Sequence, residues 1–198
     1  MTSAPNDQVG WHARASALRI EAGLFIEGAA CAALDGATLD AINPATGLKI
    51  AEMACGGAPD IDRAVASSKQ AWEDGRWRQL SPRTRMDVFR RWADLVEAHA
   101  EELALLETLS MGKPITDALT IDLPETLVTI RYFGEAIDKI SGVVTNSPQD
   151  AVHYVAREPL GVVGVIVPWN FPLNLSFCPL AAIFAAGNRA MVKMSENS

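Results

Sequence analysis

The chain has 198 residues, 49% of them hydrophobic and 21% charged, with a formal net charge of −7 at pH 7: enough for a packed core, too short for two large domains, and not the composition of a disordered chain. An acidic chain without a basic patch argues against nucleic acid or an anionic membrane as partner, and neither a secretion-signal h-region nor an apolar run of about 18 residues is present to export or anchor it. Cys31, Cys55 and Cys178 are odd in number and widely spaced, which excludes the paired spacing of a zinc site and points to reduced thiols in the cytoplasm.

Residues 1–10 are polar and expected to be mobile, in an N-terminal tail running to residue 23. Leu24–Ala30 and Thr38–Gly57 read as short strands, the second interrupted by Asn43-Pro44-Ala45-Thr46-Gly47, which has the composition of a hairpin turn. Three helices should follow. The first places Ile61, Ala64, Val65, Ser68, Ala71 and Trp72 on one face and stops at Gly75. The second starts with Ser81 as N-cap and Pro82 at its first position. Met86, Phe89, Ala93, Val96, Ala100, Leu103 and Leu106 then continue one spacing to Gly112 and Pro114. The third covers about Ile115–Ile140, with Pro124 kinking it or marking its true start.

Near Gly142 the pattern changes. Ala151–Glu158 alternates like a strand with a polar face. Gly161–Pro168, "GVVGVIVP", is apolar on both faces, as in a central parallel strand. Pro172–Asn188 is a mostly apolar helix ending in Gly187, and Arg189–Met194 is another strand. The fold class is therefore α/β, with one β-α-β unit of about 35 residues at the end of the chain.

Ligands of open parallel sheets bind beyond the carboxyl ends of the strands. One crossover joins adjacent strands, so Val167-Pro168-Trp169-Asn170 and Lys193-Met194-Ser195-Glu196 should sit side by side. No G-x-G-x-x-G follows the first strand, so the usual phosphate cradle is absent. A carboxylate at Glu196 could accept from two ribose hydroxyls and would repel a 2′-phosphate, which leans toward NAD over NADP. Lys193 and Glu196 equally fit solvated strand-end charges. Asn170, held between prolines, could donate its amide to a developing oxyanion, or could simply cap the following helix.

The text "EPLGVVGVIVPWNFPL…AAGNRAMVKMSE" closely resembles the aldehyde dehydrogenase superfamily, in which Pro-Trp-Asn-Phe-Pro and a later Lys-x-x-Glu are hallmarks. "INPATG", "DIDRAV", "HAEELALLETLSMGKPI" and "GEAIDKISG" agree with it. The resemblance runs from Leu24 to the end, and the helical text is similar to γ-aminobutyraldehyde-type members. It implies the N-terminal portion of that fold: strands and helices of the cofactor domain over 24–142, a bridging strand segment over 143–158 that meets another subunit, and the first β-α-β of an incomplete parallel Rossmann-like sheet over 159–198. It implies a homo-oligomer acting on an aldehyde with NAD, NADP being possible. Asn170 matches the oxyanion-hole asparagine. Pro168 and Trp169 match residues lining the nicotinamide side of the cleft, and Ile166 and Val167 match backbone contacts there. Lys193 and Glu196 match the pair on the adenosine ribose. In the family reaction a cysteine thiolate attacks the aldehyde, hydride passes to NAD(P)+, and glutamate-activated water hydrolyses the thioester.

That nucleophilic cysteine and that glutamate lie downstream of Lys-x-x-Glu in the family, whose chains are more than twice as long, so neither is expected among these residues. Cys178, in the apolar "NLSFCPLAAIF", reads as a buried structural thiol. His12, His99 and His153 form no cluster. Ser110 stands where many members carry an acidic residue that helps hold a monovalent cation, and no metal site is expected. Half a cofactor domain is not expected to hold NAD by itself. A catalytically inactive truncated remnant, an interaction module built on the unpaired strand edge, and a plain nucleotide-binding module are the competing readings.

Overall fold

The computed structural model describes residues 8–196 of the chain. It opens with α1 (Gln8–Ala17), which the apolar pattern does not announce. Tertiary contacts hold this helix: Trp11 is buried and Arg14 pairs with Glu101 on a later helix. The expected mobility of residues 1–10 therefore gives way to helix at Gln8–Gly10, and residues 1–7 lie outside the described residues.

β1 (Leu24–Ile26) and β2 (Ala29–Cys31) form an antiparallel hairpin. Its two-residue turn has Glu27 at φ 59° and Gly28 at φ 81°, the pair of positive values whose twist matches that of the flanking strands. β3 (Thr38–Ile42) and β4 (Lys49–Ala54) pair around the expected turn. There Asn43 Oδ1 accepts the Ala45 N–H at 2.9 Å.

α2 (Ala58–Glu73) follows. Its inward face is narrower than predicted: Ala64, Ser68, Ala71 and Trp72 are half-buried, while Ile61 and Val65 face solvent. α3 (Pro82–Ala98) starts as expected, with Ser81 Oγ accepting the Thr84 N–H at 3.1 Å. The single long helix predicted to reach Gly112 is instead two. His99 leaves helical geometry at φ −103°, ψ 19°, and α4 (Ala100–Met111) restarts from it. Ala104, Leu105 and Glu107 of α4 are buried, so the inward-facing spacing of α3 carries on past the break although the helix itself does not. The third predicted helix is α5 (Ile115–Asp117), a π-helical turn (Ala118–Asp122) and α6 (Leu123–Ala136) in succession. Pro124 has no N–H to return to the carbonyl one turn earlier, and the widened turn lies immediately before it. The helix ends at Ala136, short of the predicted Ile140.

The core lies between α3, α6 and α7 (Pro172–Ala185). Phe89, Leu123, Ile130 and Ala181 are almost fully enclosed. Trp92 stacks among Phe89, Phe177 and Phe184 with centroids 5.3–6.3 Å apart, favourable beyond their buried area.

β5 (Val143–Thr145) and β6 (His153–Val155) form a small antiparallel ribbon whose residues are all exposed. Only three residues of the predicted Ala151–Glu158 strand pair. β7 (Val162–Ile166) and β8 (Arg189–Lys193) pair in parallel through α7, the predicted β-α-β unit. α7 ends in Gly187 at φ 86°; the Gly187 N–H reaches the Phe184 carbonyl at 2.9 Å and the Asn188 N–H reaches that of Ile183 at 3.0 Å, a Schellman closure. α2 covers one face of the strand pair. β7 is not buried on both faces as predicted: Ile166 is 86% exposed.

Candidate cofactor and oxyanion site

The two strand ends meet as the sequence reading requires. Ile166 stands opposite Lys193, and Val167 donates its N–H to the Lys193 carbonyl at 3.0 Å. At the other end of the pair, Asn188 Oδ1 accepts the Gly161 N–H at 2.9 Å and the Arg189 N–H reaches the Gly161 carbonyl at 2.9 Å. The register is thus pinned at both ends.

Beyond Val167 the chain turns through Pro168-Trp169-Asn170-Phe171 into α7. Val167 is buried at 2% exposure, and its N–H is already committed to Lys193. Only its carbonyl remains to meet a ligand. Pro168 and Asn170 are exposed, and Trp169 is half-exposed at 51%. Ile166, Trp169 and Pro168 therefore present apolar surface at the strand end, and Asn170 presents an amide.

Asn170 does not cap α7. The N-cap position belongs to Phe171, at φ −154° and ψ 60°, and no side-chain capping bond is made there. The helix-capping role that the sequence leaves open for Asn170 is therefore not what its amide does.

On β8, Lys193 Nζ pairs with Glu196 at the strand end, both side chains facing solvent. The hydrogen bond from Lys193 holds the Glu196 carboxyl below its ordinary range. A carboxylate and an ammonium at the end of a parallel strand suit the vicinal hydroxyls of a ribose, and the apolar Ile166–Trp169 end suits a flat aromatic group. These residues fit a dinucleotide on that ground.

The sequence reading missed what lies behind the turn. Lys113, just past the C-terminus of α4, sets its Nζ 3.8 Å from the centre of the Phe171 ring and pairs with the wholly buried Asp122 at the end of the π-helical turn. Glu107 of α4, 4% exposed, accepts the Leu173 N–H through Oε1 at 3.4 Å. Burial first, and then the charge of Asp122, push the Glu107 carboxyl up to about 7. The detectable signal was the polarity of Glu107 directly after the apolar run Leu103–Leu106 and of Asp122 beside Leu123. Elsewhere, Cys178 is half-buried rather than buried, Cys31 is half-buried and Cys55 exposed, all three free. His12, His99 and His153 are exposed.

Residues 32–198 match the model of the aldehyde dehydrogenase family. The chain belongs to the aldehyde dehydrogenase family. It is 45% identical over 188 residues to the NADP/NAD-dependent aldehyde dehydrogenase PuuC of Escherichia coli strain K12, which covers 95% of this chain and 38% of that protein. A variant of P. syringae indole-3-acetaldehyde dehydrogenase AldA, solved in complex with NAD+ and IAA, superposes with a TM-score of 0.92 at 43% identity, over 96% of this chain and 38% of that one. The γ-glutamyl-γ-aminobutyraldehyde dehydrogenase of Burkholderia cenocepacia J2315 gives 0.91 at 41% identity, over 93% of this chain and 37% of that one. The resemblance to γ-aminobutyraldehyde-type members thus has counterparts among these relatives, and the α/β fold of the family's N-terminal portion is the fold observed. The chain spans less than two fifths of the length of each of these proteins. Among the described residues, no helix is long and apolar enough to cross a membrane.

Proposed function

We propose that this chain supplies the oxyanion-stabilising turn and the cofactor-facing strand ends of an NAD(P)-dependent aldehyde dehydrogenase that converts an aldehyde to a carboxylic acid. One observation supports the reading: the uncommitted amide of Asn170 follows the end of β7, and the parallel partner strand β8 ends at the Lys193–Glu196 pair. Nδ2 of Asn170 is a neutral donor that stabilises an oxyanion without giving up a proton. Pro168 and Pro172 restrict the turn around it, so little reorganisation is needed as charge develops. Glu196 accepts from the ribose hydroxyls, Lys193 holds Glu196 and reaches the same ribose, and Ile166, Val167, Pro168 and Trp169 line the nicotinamide side. The bound cofactor supplies the hydride acceptor.

The thiol nucleophile and the general-base glutamate are not assigned to this chain. Cys178 lies on α7 in a stretch with no His, Lys or Arg, so no neighbour in sequence is available to activate its thiol. NAD is the proposed cofactor, with NADP second. The γ-glutamyl-γ-aminobutyraldehyde enzyme among the relatives makes amino-substituted aldehydes the first substrate class to try. The free cysteines suit a cytoplasmic protein, and the exposed β5–β6 ribbon is assigned to contact between identical subunits. In the intact gene product, NAD-dependent oxidation of an aldehyde panel tests the reading. Asn170→Ala should lower kcat by about 100-fold or more, in line with loss of one oxyanion donor, and leave the Kd for NAD within about twofold. Unchanged turnover refutes the oxyanion role. A wholly inactive gene product favours the remnant, for which the exposed Ile166 edge offers a partner surface.

A further inference from the structure

Glu107, Asp122 and Lys113 touch the Asn170 turn at two points. The chain of contacts runs from the Leu173 N–H to Glu107 Oε1, and from Lys113 to Asp122 Oδ2 on one side and the Phe171 ring on the other. One link is left open. Glu107 Oε2 and Asp122 Oδ1 are both buried without a partner, and the two carboxyls are near enough for the charge of Asp122 to act on Glu107. Both orphan atoms are acceptors when the carboxyls are ionised. A proton on Glu107 Oε2 donates to Asp122 Oδ1 and satisfies both at once. The circuit then closes: Leu173, Glu107, Asp122, Lys113, Phe171, with only Pro172 between its two ends.

We propose that Lys113 and Glu107, joined through Asp122, are positioning residues that clamp the turn immediately after Asn170 to α4 and the π-helical turn. This rests on the reading of Asn170 as the oxyanion donor. The turn needs an external clamp. Pro172 has no N–H, Phe171 provides no side-chain cap, and Leu173 carries the first free N–H of α7. Glu107 supplies from another helix the acceptor that a local cap would give. The Lys113 ammonium fixes the plane of the Phe171 ring, the residue next to Asn170. Asp122 is held at the end of a π-helical turn, an irregular segment that aims this carboxylate at Lys113 instead of continuing the helical spacing.

The test is amide hydrogen exchange over residues 169–175 in the intact gene product, with steady-state kinetics on the same samples. Lys113→Met keeps the aliphatic stem and removes the charge. It should speed exchange of this segment by about tenfold while leaving the β8 segment unchanged. Glu107→Leu removes the acceptor for the Leu173 N–H and should do the same. Glu107→Gln keeps an acceptor for the Leu173 N–H and a donor for Asp122, so its exchange should stay within about twofold of the parent. Unchanged exchange at 169–175 in Lys113→Met overturns the proposal. So does accelerated exchange in Glu107→Gln equal to that in Glu107→Leu. The kinetics judge the other reading separately. With Asn170 as oxyanion donor, Lys113→Met lowers kcat by about tenfold or more with the KM for NAD unchanged. A loosened turn with undiminished kcat leaves the clamp standing and removes the oxyanion role of Asn170.

Discussion

Val167 donates its backbone N–H to the Lys193 carbonyl at 3.0 Å, one residue past the last paired position of β7. This bond makes the two candidate subsites one unit. Three residues after Val167 comes the amide of Asn170; three residues after Lys193 comes the carboxylate of Glu196. A shift in the register of the pair would move both together, and Asn188, bonded to Gly161 at the far end, opposes such a shift.

The first prediction concerns Glu196. Its carboxyl is kept ionised by Lys193, so a 2′-phosphate placed on the same ribose meets a negative charge. Glu196→Gln should weaken NAD binding by about threefold to tenfold and narrow the NAD/NADP affinity ratio, because a hydrogen-bond acceptor survives and the repulsion does not. Titration calorimetry with both dinucleotides checks it. An unchanged ratio means that Glu196 does not face the ribose.

A second prediction follows from Glu107. Its ordinary value is 4.5 and its folded value about 7. Below the lower value both folded and unfolded chains carry the proton. Between the two, the unfolded chain releases it while the folded chain keeps it, so stability falls as pH rises. Above the upper value the whole contribution is gone, at most about 3 kcal/mol. Glu107→Gln has no proton to lose. Its stability relative to the parent should rise by about 2 kcal/mol between pH 5 and pH 8. Urea denaturation at the two pH values measures the difference; parallel pH profiles contradict the raised value.

What could be read from the sequence was periodic or punctuated. The β7-α7-β8 unit was visible because its strands are apolar runs and its helix ends in Gly187, and the 38–54 hairpin because Asn43-Pro44…Gly47 spells a turn. Asn170, Lys193 and Glu196 were legible through motif text and strand ends. The rest depended on tertiary contact. α1 has little apolar period and rests on Trp11 and Arg14 against later helices. The break at His99 interrupts no hydrophobic spacing, since Ala100 and Leu103 continue the pattern of α3. The clamp behind Phe171 joins residues from three separate elements, and spacing in one segment cannot show which buried carboxylate will meet which lysine.

A third prediction tests the core. A Cβ at Gly134 on α6 would lie 2.7 Å from the Cβ of Phe89 on α3. That atom is fixed to the α3 backbone and cannot swing away. Alanine in mid-helix ordinarily stabilises by about 1 kcal/mol, but here the helices must part, at a cost of about 1–3 kcal/mol. Gly134→Ala should therefore destabilise the fold or leave it no better. A clear rise in melting temperature contradicts close packing of α3 on α6.

The fourth prediction concerns the ribbon. Val143, Val144, Tyr154 and Val155 are each more than half exposed on β5 and β6, an apolar surface on a two-stranded element too small to be stable in water without a covering layer. If identical subunits supply that layer, a charge at its centre will be buried against the partner at a cost that no neighbouring cation offsets. Val144→Glu in the intact gene product should then shift the sedimentation profile toward monomer, with the far-ultraviolet circular dichroism unchanged. Gln70→Glu, an exposed change on α2 that adds the same single negative charge, provides the control for charge alone and should leave the profile as it was. An oligomer undisturbed by Val144→Glu would place the subunit contact elsewhere on the molecule.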